Sequence, residues 1–241
     1  MKILAIETAT EACSAALFMD GKVLERFEQA PRQHSRLILP MVDELLAQAQ
    51  LPPGQLDAVA FGRGPGSFTG LRIAAGVTQG IAFGSDLPVV PVSTLAAMAW
   101  QGLTEKQADY ALVALDARMA EVYWGVYRKV SNISTAVDGK ETLEIELEAP
   151  EIVISPDEAP VPLPDSASAL AIGAGWEAYQ AQLRRRVKGV QLVALRPEIL
   201  PRAGVVARLA VKPLREGNTL PPEQAQPVYL RDRVVTLKNS S

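Results

Sequence analysis

The sequence predicts an α/β protein made of two similar halves, and three observations predict it. Each half opens with antiparallel strands and then adds strand–helix units, so the first half follows the order β-β-β-α-β-α-β-α. The Asp20-Gly21 pair is a hairpin signal between the second and third strands. The chain has 241 residues, of which 48% are hydrophobic, and this suffices for one large domain or two small ones with a substantial core.

Apolar periodicity and turn residues place five strands and three helices in the first half. The expected strands are Ile3–Thr8, Ala12–Met19, Val23–Glu28, Asp57–Phe61 and Val89–Val92, and the expected helices are Ser35–Gln48, Thr69–Gly84 and Ser93–Gly102. Pro40 lies inside the first helix pattern and removes one backbone hydrogen bond, so we expect a kink or a late start there. Ser93 is the expected N-cap of the third helix.

The second half begins near Tyr110. We expect strands at Ala111–Leu115, Glu121–Arg128, Leu143–Leu147 and Ala169–Ile172, and helices at Trp176–Leu183 and Ala203–Val211. The Arg184-Arg185-Arg186 run fits the solvated C-terminal end of the first of these helices. We expect a first lobe over residues 1–105, a second and more divergent lobe over residues 106–215, and a tail over residues 216–241 that returns toward the first lobe.

Composition excludes several classes of function. The formal net charge of −3 does not fit a chain that grips nucleic acid alone. His34 is the single histidine, so a zinc site would have at most one imidazole ligand. Cys13 is the single cysteine and is expected to be a small core residue in a reducing compartment. The chain opens with strand-like residues and has no long apolar run, so we expect a cytoplasmic protein without a membrane span.

Residues 62–72, Gly-Arg-Gly-Pro-Gly-Ser-Phe-Thr-Gly-Leu-Arg, form the least ordinary stretch, and they lie between a predicted strand and a predicted helix. Their spacing matches neither a P-loop, nor a dinucleotide fingerprint, nor a hydrolase elbow. Backbone N–H groups at such a helix start bind anions, whereas glycines there also let another backbone approach closely, with Ser67 or Thr69 as N-cap. Both alternatives stay open. The candidate residues are Gly62, Gly64, Gly66, Ser67, Thr69 and Gly70.

The first two helices are the candidate surface for a partner chain. The first is apolar over about half its circumference, wider than the stripe of about 100° that covers one sheet, so it needs a second helix from this chain or from another. The second has Gly76 and Gly80 on one face beside Arg72, where another helix can approach closely. The candidate interface residues are Leu37, Ile38, Met41, Val42, Leu45, Arg72, Gly76 and Gly80. On this hypothesis, Gly76→Leu and Leu45→Asp break a dimer and leave the fold largely intact.

Several segments together resemble one bacterial family. These are residues 1–8 (Met-Lys-Ile-Leu-Ala-Ile-Glu-Thr), residues 34–40 (His-Ser-Arg-Leu-Ile-Leu-Pro), residues 62–72, residues 116–119 (Asp-Ala-Arg-Met) and residues 229–231 (Tyr-Leu-Arg). They are similar to the TsaB family, also called YeaZ. The resemblance implies a two-lobed fold of the actin, hexokinase and Hsp70 type (ASKHA), with duplicated RNase H-like lobes.

The resemblance also implies a function. Members of this family serve the synthesis of N6-threonylcarbamoyladenosine (t6A) beside the anticodon of tRNA. TsaB is there a non-catalytic partner of TsaD, which transfers the threonylcarbamoyl group; TsaE, an ATPase, joins the complex, and TsaC makes the adenylate. It implies a homodimer in isolation through the first two helices, tRNA contact only through the complex, and no catalytic residue, metal or cofactor in this chain.

Two departures from relatives support the absence of a cofactor. TsaD-type proteins hold a metal with an H-x-x-x-H pattern after the fifth strand, and the corresponding residues here are Thr94 and Met98, which are poor metal ligands. The first phosphate loop of actin-like ATPases resembles Asp-x-Gly-Thr, where this chain has Glu-Thr-Ala-Thr at residues 7–10. Ala9 replaces the glycine that lets phosphate approach the backbone.

Two enzyme hypotheses remain as alternatives. A small-molecule kinase or ATPase of the same fold would hold Mg²⁺ with Glu7 or Asp116. A protease would use Ser35 or Ser67 with His34. Capping at the start of the first helix is the simpler role for His34.

Overall fold

The computed structural model describes residues 1–105, 107–135 and 141–231, and its first sheet has five strands in mixed orientation. The strands are β1 (Lys2–Glu7), β2 (Ala12–Met19), β3 (Lys22–Gln29), β4 (Ala58–Gly64) and β5 (Val89–Ser93), and the helices between them are α1 (His34–Gln48) and α2 (Phe68–Gly84). The sheet order is β3-β2-β1-β4-β5. β2 pairs antiparallel with both its neighbours, whereas β1, β4 and β5 pair in parallel.

The second sheet repeats the strand order of the first. The following elements are α3 (Thr94–Glu105), β6 (Tyr110–Arg118), β7 (Glu121–Thr135), β8 (Glu141–Ile154), β9 (Ser168–Ile172), α4 (Gly175–Ala178), α5 (Gln180–Arg186), β10 (Gln191–Arg196), α6 (Ala203–Leu209) and α7 (Val211–Arg215). Their sheet order is β8-β7-β6-β9-β10, again with two antiparallel pairs followed by two parallel pairs. The duplicated α/β fold predicted from the sequence is confirmed.

The central strands are apolar on both faces because each sheet has helices on both sides. On β1, Leu4 and Ile6 pack in the core with α1 and α2, whereas Ile3 and Ala5 pack in the core with α6. This alternation follows from the period of two along a strand. β6 alternates in the same way between the core with α3 and the core with α4 and α5.

Two helices exchange lobes. α3 follows the first sheet along the chain, yet Leu95 and Met98 are buried in the core of the second sheet. α6 follows the second sheet, yet Ala203 and Val206 are buried against the first. Along the chain, the boundary expected at 105/106 lies between the two sheets and the one at 215/216 follows α7, but neither assigns α3 and α6 to the sheets on which they pack. Residue 106, residues 136–140 and residues 232–241 of the expected units lie outside the described residues.

Most expected elements are present, and the differences have local causes. Ser93 caps α3 as predicted, since a backbone N–H of the helix donates to its hydroxyl at 3.2 Å, and Pro40 lies inside α1. The helix expected from Trp176 to Leu183 is divided at Tyr179, whose φ of −129° leaves the helical region. β10 was not expected, because it is a half-exposed edge strand without clean alternation. Throughout the described residues, every helix is too short or too polar to cross a membrane.

α1 is buried more deeply in its own lobe than the sequence indicated. Ile38 and Leu45 have no exposed surface, and Met41 and Val42 retain only 8% and 3% of theirs. All four pack in the core that α1 and α2 form with the first sheet. These four predicted interface residues are therefore core residues of the single chain, because the sheet and α2 together cover more of α1 than one sheet would. Leu39, which is 50% exposed, lies outside this core.

We expect Leu45→Asp to unfold the single chain, and not merely to dissociate a dimer, because it buries an unpaired carboxylate. The milder Leu45→Ala should lower the free energy of unfolding by about 2–5 kcal/mol through lost contacts and a cavity. Urea denaturation followed by circular dichroism measures both. Leu39→Ala, on the exposed side of the same helix, is the control and should change this free energy by about 0.5 kcal/mol or less. A folded Leu45→Asp chain would contradict this placement.

Candidate functional site

The glycine-rich loop between β4 and α2 packs directly on the connection between β1 and β2. A Cβ atom added to Gly70 would lie 1.9 Å from the carbonyl oxygen of Thr8, and one added to Gly66 would lie 2.4 Å from the carbonyl oxygen of Ala9. The Thr8 hydroxyl also donates to the Gly70 carbonyl at 2.7 Å. These glycines thus permit a close approach of two backbone segments. We call the packing of Gly62, Gly66 and Gly70 against residues 7–9 the glycine contact.

Polar groups at the start of α2 are hydrogen-bonded within the chain. The Ser67 N–H donates to the Ala9 carbonyl at 2.7 Å, and the Ser67 hydroxyl accepts from the Gly70 N–H at 3.4 Å. Ser67 is therefore the N-cap, whereas Thr69, the other residue considered for that role, lies inside the helix. Gly64 has a φ of +104°, which side chains rarely tolerate. Two N–H groups that an anion would contact here are already hydrogen-bonded within the chain.

Glu7 is a fully buried carboxylate at the end of β1. Its Oε1 accepts from the Ala9 N–H at 2.6 Å, and its Oε2 accepts from the Thr94 hydroxyl at 3.1 Å. A Cβ atom added to Gly62 would lie 1.9 Å from Oε2. Burial raises the pKa of Glu7 to about 7, although the hydrogen bonds from Ala9 and Thr94 act in the opposite direction. Glu7 is thus enclosed by β1, β4 and α3.

The two positions expected to correspond to metal ligands in relatives belong to the interior. Thr94 has no exposed surface and donates to Glu7. Met98 is fully buried in the core of the second sheet. Among the described residues, no group of three or more His, Cys, Asp or Glu side chains is arranged to hold a metal ion.

The residues of the enzyme hypotheses make other contacts. Asp116 accepts from the Arg118 N–H at 2.8 Å and pairs with the Arg118 guanidinium at 3.0 Å. The Nε2 atom of His34 lies 2.8 Å from the Thr10 carbonyl oxygen, so this side chain joins α1 to the β1–β2 connection. The N-cap of α1 is Gln33, without a side-chain cap, and the expected capping role of His34 is wrong because the ring points to Thr10.

A polar cluster between the lobes was not expected from the sequence. Ser93 at the end of β5 and Tyr127 on β7 both donate to one carboxylate oxygen of Glu151 on β8. The two hydroxyl oxygens lie 3.4 Å apart. Burial raises the pKa of Tyr127 well above its usual value, and the Glu151 carboxylate acts in the same direction. The three residues lie far apart in sequence, so no local motif reveals the cluster.

α2 has an exposed face made of aromatic residues and glycines. Phe68 and Phe83, near its two ends, are 50% and 79% exposed. Between them, a Cβ atom added to Gly76 or Gly80 would have no atom within 4 Å. The Arg72 guanidinium lies 3.9 Å from the centre of the Phe68 ring. We call these five residues the α2 face. The predicted interface residues on it are Arg72, Gly76 and Gly80, whereas Leu37 is half-buried on α1 and packs against the core that α1 and α2 form with the first sheet.

The described part of the tail lies along the same helix. Leu220 exchanges two backbone hydrogen bonds of 2.8 Å with Val89 of β5. The Tyr229 ring lies 5.4 Å from the Phe68 ring, and its hydroxyl accepts from Arg72 Nε at 3.2 Å. A groove of about 340 Å³ lies between α2 and the tail. The tail thus extends the α2 face.

The duplicated sheets and the exchanged helices define a two-lobed α/β protein of the actin, hexokinase and Hsp70 type. The model of the family described as TsaD, tRNA N6-adenosine threonylcarbamoyltransferase, matches residues 27–236. Two relatives are described as tRNA threonylcarbamoyladenosine biosynthesis protein TsaB. The one from Haemophilus influenzae is 40% identical over 99% of this chain and 97% of its own length. The one from Escherichia coli is 41% identical over 99% and 98%.

Solved structures agree with these relatives. YeaZ from Pseudomonas aeruginosa superposes with a TM-score of 0.83 at 41% identity and covers 95% of this chain and 99% of its own. A second structure, described as an uncharacterized Pseudomonas aeruginosa protein with similarity to peptidase YeaZ, matches equally well. The chain belongs to the TsaB family, also called YeaZ, and the resemblance seen in the sequence motifs is confirmed.

The buried Glu7 predicts a pH dependence of stability. The native state keeps the Glu7 proton up to about pH 7, whereas the unfolded chain releases it near pH 4.5. Between these values the native state binds more protons, so the contribution of Glu7 to the free energy of unfolding falls as the pH rises, by about 3 kcal/mol in total.

Urea denaturation from pH 4.5 to 8 measures this slope. Glu7→Gln, which keeps the shape but cannot ionise, should flatten it and be the more stable chain at pH 8. The exposed Glu158→Gln is the matched control and should keep the slope of the parent. Parallel curves for the parent and Glu7→Gln would exclude the assignment.

Proposed function

We propose that the chain acts in t6A biosynthesis as a non-catalytic subunit, which binds and activates a TsaD-type threonylcarbamoyltransferase. The observation that carries the proposal is the α2 face, where two exposed phenylalanines flank an open line of glycines. The pathway is inferred from relatives of 40% and 41% identity over almost the whole chain, which are named for t6A biosynthesis.

The contacts of the residues that an active site would need support a non-catalytic role. Glu7 is enclosed and hydrogen-bonded, and Thr94 donates to it. Asp116 pairs with Arg118. Glu7 and Thr94 join β1 to α3, and Asp116 is paired with a residue of its own strand end, so a metal ion or a nucleotide phosphate would have to displace these contacts. The proposal therefore includes no metal and no ATP on this chain.

The geometry of the α2 face supports a helix as the partner element. Side chains keep packed helices about 8–10 Å apart, and glycines allow a closer approach. Gly76 and Gly80 are one helical turn apart, and the space above both is open. Phe68 and Phe83 provide aromatic anchors on either side, and aromatic residues are enriched in the cores of protein interfaces. A partner helix that crosses α2 at the two glycines would bury both rings.

The proposed partners follow from this surface and from the family. TsaD occupies the α2 face in a heterodimer, and TsaE joins that complex. Two copies of this chain pair through the same face when TsaD is absent, since a two-fold axis brings the same apolar surface of both copies together. Contact with tRNA occurs through the complex, because the net charge of −3 offers little attraction to phosphate.

Reconstitution tests the function directly. The purified chain is mixed with TsaD, TsaE, TsaC, ATP, threonine, bicarbonate and tRNA, and t6A is measured by mass spectrometry of the digested nucleosides. We expect t6A only when this chain is present, and undiminished product without it would refute the proposal. Calorimetry of the isolated chain with ATP and Mg²⁺ should show neither binding nor turnover, whereas both together would favour the kinase hypothesis.

Gly76→Leu should block the α2 face without unfolding the chain, because Gly76 is exposed and a Cβ atom added there would have no atom within 4 Å. We expect the affinity for TsaD to fall about tenfold or more, as a bulky side chain separates the two helices. Isothermal titration calorimetry measures this, and size-exclusion chromatography reports the homodimer.

Gly54→Leu is the matched control for Gly76→Leu. A Cβ atom added to Gly54 also meets no atom within 4 Å, but Gly54 lies in the short turn before β4 and not on α2. It should bind TsaD as the parent does. If Gly76→Leu binds equally well, the α2 face is not the interface.

A further inference from the structure

The position of the N-terminal end of α2 depends on the glycine contact. A Cβ atom on Gly70 would lie 1.9 Å from the Thr8 carbonyl oxygen, whereas real Cβ atoms essentially never approach other atoms within 3.0 Å. The obstacle is backbone, which cannot rotate away as the end of a flexible side chain can. An added methyl group would therefore move α2 away from β1 by about 1 Å, since protein interiors are close-packed.

Polar contacts hold the two segments at this distance. The Thr8 hydroxyl, which has no exposed surface, donates to the Gly70 carbonyl at 2.7 Å. The Ser67 N–H donates to the Ala9 carbonyl at 2.7 Å. These two hydrogen bonds flank the first turn of α2, and they therefore fix both the height and the rotation of the helix relative to β1.

The same turn carries part of the α2 face. Phe68 is the first residue of α2, and the Arg72 guanidinium lies 3.9 Å from its ring centre. Arg72 Nε donates to the Tyr229 hydroxyl at 3.2 Å. A shift of the helix by about 1 Å would lengthen the hydrogen bond between Arg72 and Tyr229 beyond bonding distance and separate the Phe68 and Tyr229 rings.

We infer that Thr8 is a positioning residue, which acts through the glycine contact to set the arrangement of Phe68, Arg72 and Tyr229 on the partner surface. The glycine-rich loop packs on the β1–β2 connection. The distance between these two segments sets the position of the first turn of α2, and with it the position of Phe68 and Arg72. This inference rests on the proposed function for its consequence, partner binding, but not for its structural content.

The first experiment compares Gly70→Ala with Gly84→Ala. Both variants place the same methyl group in the same helix, but Gly84 has no atom within 4 Å of the added carbon. We expect Gly70→Ala to lose the nuclear Overhauser contacts between the Phe68 and Tyr229 rings and to bind TsaD about tenfold more weakly. Gly84→Ala should keep the ring contacts and bind within about twofold of the parent.

The second experiment removes only the Thr8 hydroxyl, and it tests the positioning role of Thr8 even where Gly70→Ala does not fold. Thr8→Val keeps the shape of the side chain, and we expect it to weaken the ring contacts and to lower TsaD affinity about fivefold, as for the loss of one hydrogen bond. Thr8→Ser retains the donor and should restore both. Parent-like ring contacts in Thr8→Val would overturn the inference, because a purely stabilising role leaves the surface geometry unchanged.

Two further outcomes are informative. If the parent chain does not bind TsaD, the proposed function fails, while the ring contacts in the four variants still decide the positioning role. If inorganic phosphate shifts the amide resonances of residues 66–70 in the parent but not in Gly70→Ala, the loop is an anion site, and the inference is overturned.

Discussion

The contact between the β1–β2 connection and the glycine-rich loop is the constraint on which the rest of the structure depends. It places a carboxylate, Glu7, in a fully buried site, where one backbone N–H and one hydroxyl offset part of its desolvation. The hydroxyl belongs to Thr94, the first residue of α3, and α3 packs on the second sheet. The same contact therefore positions α2 on one side of the first sheet. Through the hydrogen bond between Thr94 and Glu7, it also links the first sheet to the other lobe.

The exchange of helices joins the two lobes through their hydrophobic cores. α3 and α6 each bury an apolar face on the sheet of the other half, so neither half can complete its core alone. The shared carboxylate of Glu151 adds a polar link, because it accepts from Ser93 of one lobe and from Tyr127 of the other. Tyr127 and Glu151 lie on neighbouring strands of the second sheet, whereas Ser93 ends β5, so separation of the lobes would break the hydrogen bond from Ser93 and leave its half-buried hydroxyl without this acceptor.

The sequence predicts those parts of the structure that arise from local periodicity and capping. β1, β2, α2 and the Ser67 and Ser93 caps follow from patterns a few residues long. The sequence leaves open whether α1 packs against a helix of this chain or of another, since the apolar arc of a helix does not reveal how many neighbours cover it. The partners of Glu7 and Glu151 lie up to 87 positions away, and only the fold brings them together.

These relations suit the binding subunit of the proposed function. The glycines of the loop admit the chain's own backbone, and Glu7 accepts from the Ala9 N–H. In the proposed function, the glycine contact contributes rigidity and takes no part in a reaction. Rigidity is useful to a subunit that acts by contact, because a partner helix on Gly76 and Gly80 finds a surface that costs little entropy to order. The glycines of residues 62–70 and those of the α2 face thus have opposite environments, one set filled by the chain and one left open.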